Sequence, residues 1–179
     1  RMQVYFIDNE DYFKKKELFH DKKNKLYKDN DLRMIFFVKG VIETVKKLNW
    51  SPDIIYLHVV FNSLFPLYLR ELYSEDPMFE NTKIISSVYT KSFDGNLSKS
   101  MAKKVQFDEI DKGLDKLSSP TYDSLVNLMI DFSDGIVLSS EKIDKKIEKI
   151  IKNSSKPLLT FKKSLDESLF IDFFAKYLD

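Results

Sequence analysis

The stretch that most limits the fold runs from Trp50 to Leu69, WSPDIIYLHVVFNSLFPLYL. Pro52 and Asp53 supply a turn, and Ile54 to Leu57 is an unbroken apolar run of strand type that ends on His58. A helix is expected from Asn62 to Tyr73. Pro66 falls in its first turn, where the missing backbone N–H costs nothing. A short buried strand handed to a helix is one step of a βαβ unit, which needs parallel neighbours and right-handed crossovers.

The same rhythm recurs along the chain. Gln3 to Ile7 reads as a strand, and Asn9 to Lys15 as a short helix. Lys22 to Lys28 is polar and loop-like. Asp29 or Asn30 can cap a long helix to Leu48, with Leu32, Ile35, Phe36, Val41, Ile42, Val45 and Leu48 on one face. Lys83 to Val88 is a third strand. Residues 90–119 are polar and weakly patterned, so they are expected to be a mobile or functional loop. Pro120-Thr121 then opens a helix to Phe132, and Gly135 to Leu138 is a strand. Ser139 or Ser140 caps a lysine-rich helix to Lys152. Pro157 to Phe161 is a short strand, and Asp166 caps a last helix to Leu178. The pattern predicts one α/β domain over residues 1–179, a Rossmann-like, mostly parallel sheet flanked by helices. The opening strand reads as the start of a fragment, and the closing helix as the end of a natural short form.

Several functions are disfavoured by composition. The formal net charge is +1, with acids and lysines interleaved, so no global field draws nucleic acid or an anionic membrane. No apolar run approaches the ~20 residues that span a bilayer. The absence of cysteine excludes disulfides and thiolate metal sites and suits the cytoplasm. With only two histidines a zinc site is not expected. None of the four glycines forms GxGxxG or a P-loop.

Three constellations carry possible chemistry. His58 lies at the carboxyl end of a strand, where open α/β sheets bind ligands. A neutral imidazole there can bond a sugar hydroxyl or a developing charge, or can simply be satisfied by backbone. Asp8-Asn9-Glu10-Asp11 can bind hydroxyls or serve as turn and cap. Asp29-Asn30-Asp31-Leu32-Arg33 opens the long helix, with Asp29 and Arg33 spaced to pair on one face.

These pieces occur in the order found in one family. Val4-Tyr5-Phe6-Ile7-Asp8-Asn9-Glu10-Asp11-Tyr12-Phe13 resembles the "YFIDNxxYF" segment of bacterial glycogen synthases and plant starch synthases, glycosyltransferase family five. Tyr27-Lys28-Asp29-Asn30-Asp31-Leu32-Arg33-Met34 resembles their "Y-x-D-N-x-x-R-F". Trp50 to His58, with Leu64, Pro66 and Tyr68-Leu69 beyond, resembles "W-x-PDVVHxHDW…ALxPxYL". Phe132 to Ser139 is similar to "YADxVTTVS". The resemblance implies a GT-B fold of two Rossmann-like halves that transfers glucose from ADP-glucose to an α-1,4-glucan, with no cofactor or metal. This chain then corresponds to the N-terminal, acceptor-side half. The resemblance implies a glucan-facing His58, and Asp8, Asn9, Asp29, Asn30 and Arg33 as substrate-binding residues. The partners it implies are an α-glucan or sugar nucleotide and a second GT-B half on another chain. Three departures stand out. The family's HD-W is His58-Val59-Val60 here. Its "T-x-HN-x-x-Y-Q-G" is Ser87-Val88-Tyr89-Thr90-Lys91-Ser92-Phe93-Asp94-Gly95. Its "K-x-GGL" loop and C-terminal half have no counterpart in the sequence. Two readings follow: a synthase half inactive alone, or a non-catalytic glucan-binding or regulatory module.

Overall fold

In the computed structural model, which describes residues 2–160 and 167–178, the apolar runs become four parallel strands in the order β1-β2-β3-β4. These are β1 Ile54–Leu57, β2 Lys83–Val88, β3 Gly135–Leu138 and β4 Leu158–Thr160. Register runs Ile54 opposite Lys83, Ile85 opposite Gly135, and Ile136 opposite Leu158. Because every pair is parallel, the carboxyl ends of all the strands lie along one edge. This is the α/β architecture expected of a GT-B half.

Helices α1 Glu10–Phe13, α2 Asn30–Lys47, α3 Phe65–Glu71, α4 Met101–Phe107, α5 Leu114–Leu117, α6 Tyr122–Asp131 and α7 Lys145–Ser154 precede a last helix, α8 Glu167–Ala175. Asn9 caps α1, accepting from the Tyr12 N–H at 3.1 Å, and Thr121 caps α6 through the Ser124 N–H. Pro66 sits in the first turn of α3, as its ring requires.

Strand alternation sends side chains to opposite faces. Leu57, Ile84, Val88 and Ile136 enter a large core shared with the buried residues of α2 to α7. Ile54, Tyr56, Ile85, Val137 and Leu159 face the other way and meet Phe170, Phe173, Phe174 and Tyr177 of the α8 region. A Cβ on Gly135 would lie 2.1 Å from the Tyr177 hydroxyl, so that close approach needs glycine.

Some expectations are corrected. Gln3 to Ile7 is not a strand: among the described residues no neighbour pairs with it, and Met2, Val4 and Phe6 are exposed. Tyr5 and Ile7 line a groove of 250 Å³ against Phe37, Val41 and Trp50. Residues 90–119 are not a bare loop. They hold α4 and α5 and bury Phe93, Leu97, Met101, Val105, Ile110 and Leu117. The lysine-rich helix starts after Asp144, not after Ser139 or Ser140. On α2, Met34, Ile35, Val38 and Ile42 are buried, whereas Leu32 and Leu48 are exposed. The expected Asp166 cap and the Phe161 strand end lie outside the described residues.

Candidate functional site at the carboxyl edge of the sheet

Just past β1 the backbone kinks. Val59 has φ 60° and ψ 150°, a region that side chains on Cβ strongly disfavour, most of all a β-branched one. The neighbours hold it there: Asn62 Nδ2 donates to the His58 carbonyl at 2.7 Å, and Val60 and Phe61 are buried in a 3-10 turn, Val60–Asn62. The kink leaves the His58 side chain exposed at the edge.

The His58 ring is nevertheless held from two sides. Tyr56 meets it at 4.3 Å between centroids, and its Nδ1 lies 2.7 Å from the Tyr89 hydroxyl. Tyr89 is the first residue past β2, so it stands at the edge as His58 does. Its own carbonyl accepts from the Tyr122 hydroxyl at 2.6 Å. Thr90 donates through its N–H to Ser140 Oγ at 2.9 Å, tying the β2 loop to the β3 loop. Between the strands Ser139 donates to Ser87, and Ser87 donates to the Tyr56 hydroxyl at 2.5 Å. Partial desolvation holds the His58 pKa below the ordinary histidine value, so the neutral ring is favoured. Burial raises the Tyr56 hydroxyl, and burial together with Asp123 pushes Tyr122 up to about 12. The result is a neutral, hydroxyl-rich edge suited to bonding polyols.

The other expected residues form a separate clamp. Arg33 is buried; its Nε donates to Tyr12 O at 2.8 Å and its Nη1 donates to Leu18 O at 2.6 Å and Asn30 Oδ1 at 2.8 Å. Asn30, fully buried, donates to Phe19 O at 2.7 Å. Asp29 pairs with Lys15 rather than across to Arg33, and Asp31 pairs with Lys104. The polar atoms of Asn30 and Arg33 are therefore engaged by the chain itself, which fastens residues 12–19 to α2. Phe61 links this clamp to the edge by packing on Phe19, with ring centroids 5.7 Å apart. Among the described residues no hydrogen bond, ion pair or ring contact joins His58 to Asp29, Asn30 or Arg33. Asp8 is exposed ahead of α1, and Asn9 is its cap.

Sequence reasoning missed Tyr89, Tyr122 and Asn62. The signal for Tyr89 was positional: it follows β2 as His58 follows β1. The loop beyond β2, whose polarity suits either a ligand or a plain connection, lines a polar cavity of 260 Å³ with residues including His20, Asn24, Lys91, Ser92 and Asp94, in which Lys91 pairs with Asp94 at 2.7 Å. Among the described residues no group of three His, Cys, Asp or Glu gathers as a metal site would need, and no helix is long and apolar enough to cross a membrane.

Residues 1–157 match the family described as starch synthase catalytic domain. The chain belongs to that family. A glycogen synthase of Chlorobium phaeobacteroides is 36% identical over 119 residues, covering 64% of this chain and 24% of that protein. The glycogen synthase of Chlorobaculum parvum is 31% identical over 148 residues, covering 82% of this chain and 30% of its own length. The chain thus spans about a quarter of the curated relatives it matches. Among solved structures, the catalytic domain of starch synthase IV from Arabidopsis thaliana, bound to ADP and acarbose, superposes with a TM-score of 0.59 at 17% identity. That match covers 79% of this chain and 31% of the plant domain, and it carries the fold.

Proposed function

We propose that this chain is the acceptor-side half of an ADP-glucose:α-1,4-glucan glucosyltransferase, and that alone it grips α-glucan without transferring glucose. The observation that carries the reading is His58, held on a strained kink at the carboxyl edge and aimed outward from a row of hydroxyls. A neutral imidazole flanked by phenols bonds sugar hydroxyls well and stabilises a departing diphosphate poorly. Glucosyl transfer also needs a cleft that excludes water. The half that carries ADP-glucose contacts then belongs to another chain or another part of the same protein. Val59 and Val60, where family members carry an acid and an aromatic, support a glucan-binding or regulatory role for this half. The cysteine-free composition supports a cytoplasmic setting. Asp8 remains an outer candidate for the same glucan, and Asn9, Asp29, Asn30 and Arg33 act indirectly, by capping α1 and fastening residues 12–19 to α2.

The test is glycogen co-sedimentation and glucose transfer from ADP-glucose, each with the wild-type chain and His58→Ala. We expect wild-type protein in the glycogen pellet, at least about threefold less for His58→Ala, as loss of one hydrogen bond predicts, and no transfer by either. Transfer by the chain alone would overturn the inactive half. No pelleting would remove the glucan assignment.

A further inference from the structure

We propose that Tyr89 is a positioning residue that fixes the His58 imidazole with its proton on Nε2, turning that ring into a hydrogen-bond donor aimed at an oxygen of the bound glucan. This deepens the function proposed above and rests on it for the ligand; the tautomer itself does not depend on any ligand.

The geometry leads there in three steps. The Tyr89 hydroxyl lies 2.7 Å from His58 Nδ1. A hydroxyl carries one proton to donate, and among the described residues this nitrogen is the partner recorded for it. Donation from Tyr89 makes Nδ1 the acceptor, and a neutral imidazole that accepts at Nδ1 carries its hydrogen on Nε2. The opposite arrangement, Nδ1–H donating to the phenol oxygen, would turn the phenol proton out to solvent.

Tyr89 can do this because it is itself fixed. Tyr122, buried at the start of α6, donates to the Tyr89 carbonyl at 2.6 Å. The next residue, Thr90, is tied through Ser140 Oγ. The His58 backbone is fixed independently by Asn62. The two ends of the Tyr89–His58 bond therefore belong to different strands, each anchored by its own contact. The ionisable groups against the imidazole are Tyr56 and Tyr89, so no recorded carboxylate competes for Nδ1. Tyr89 also occupies the place of the histidine in the family's third-strand motif, so this pairing is a property of the present sequence.

The experiment is nitrogen NMR of the full chain with labelled histidine, which holds only His20 and His58, with His20→Gln assigning the signals. In wild-type protein His58 should show a protonated Nε2 and an unprotonated Nδ1. In Tyr89→Phe the Nδ1 signal should shift, and the His58 titration midpoint should rise by about 0.5–1 pH unit, the worth of one hydrogen bond that favoured the neutral ring. Tyr122→Phe should give a smaller shift in the same direction, and it serves as the second probe if Tyr89→Phe folds poorly. Unmoved His20 signals report an intact fold. A wild-type His58 protonated on Nδ1, or a Tyr89→Phe spectrum and midpoint identical to wild type, overturns the proposal. Adding maltoheptaose separates the ligand from the positioning. Movement of Nε2 on addition supports both readings. An expected tautomer that ignores maltoheptaose keeps Tyr89 as positioner and rejects a glucan as what the donor meets.

Discussion

The two faces of the sheet are built differently. One is sealed by side chains from α2 to α7 that merge into a single core. The other is covered, among the described residues, by α8 and the turn after it, and its cluster is small: Ile85, Val137 and Phe173 with partly buried neighbours. The α8 face also changes character along the strands. Tyr56, Ile85 and Gly135 share one level of the register and Ser87 and Val137 the next, whereas His58, Tyr89 and Ser139 stand just past the carboxyl ends of their strands. Phe170 and Phe174 pack on Tyr56 with ring centroids 5.7 and 5.0 Å apart, so α8 reaches the side chain that itself packs on His58. The thick face supplies stability, and the thin one leaves polar groups within reach of solvent.

The sharpest way to break this contrast is to damage each face in turn. Leu64→Ala, at a fully buried site in the thick core, should lower global stability by about 3 kcal/mol, read as a lower denaturation midpoint with an unchanged slope. Phe173→Ala should behave differently. Its global loss should stay below about 2 kcal/mol, because α8 can detach locally before the core opens. Hydrogen exchange should then quicken in residues 167–178 and hold steady in α2 and α6. Equal losses at both sites, with exchange rising everywhere, would make the two faces one cooperative unit. The smallest effect concerns alkali. The folded pKa of Tyr122 is raised, so its contribution to stability is complete below the unfolded value of 10.0 and is lost as pH rises toward about 12. Denaturation midpoints across that window should fall less steeply in Tyr122→Phe than in wild type.

Much of the scaffold was legible because burial on both faces demands continuous apolar runs. Ile54–Leu57, Lys83–Val88 and Gly135–Leu138 could be read for that reason. Asn30–Lys47 was legible from its caps and period. Val4 to Ile7 has the same composition as those strands, yet a strand exists only where a neighbour pairs with it. In residues 90–119 the helical signal was present in Leu97, Met101 and Val105, spaced by four, but polar neighbours diluted it. Ser139 and Ser140 looked like caps, and instead they bond Ser87 and Thr90 across the strand ends. His58 could be picked out as a strand terminus. Its fixing by Tyr89 could not, because that bond depends on the register of two strands 31 residues apart.

The kink at Val59 has an energetic consequence. A non-glycine residue in that backbone region carries a strain of about 1–3 kcal/mol. Domains of this size hold only about 5–15 kcal/mol of net stability. Glycine adopts these angles freely. The chain carries a branched side chain there instead, and the preceding carbonyl, that of His58, is pinned by Asn62. Val59→Gly would relieve that strain and at the same time loosen a joint that sets where the His58 imidazole leaves the sheet.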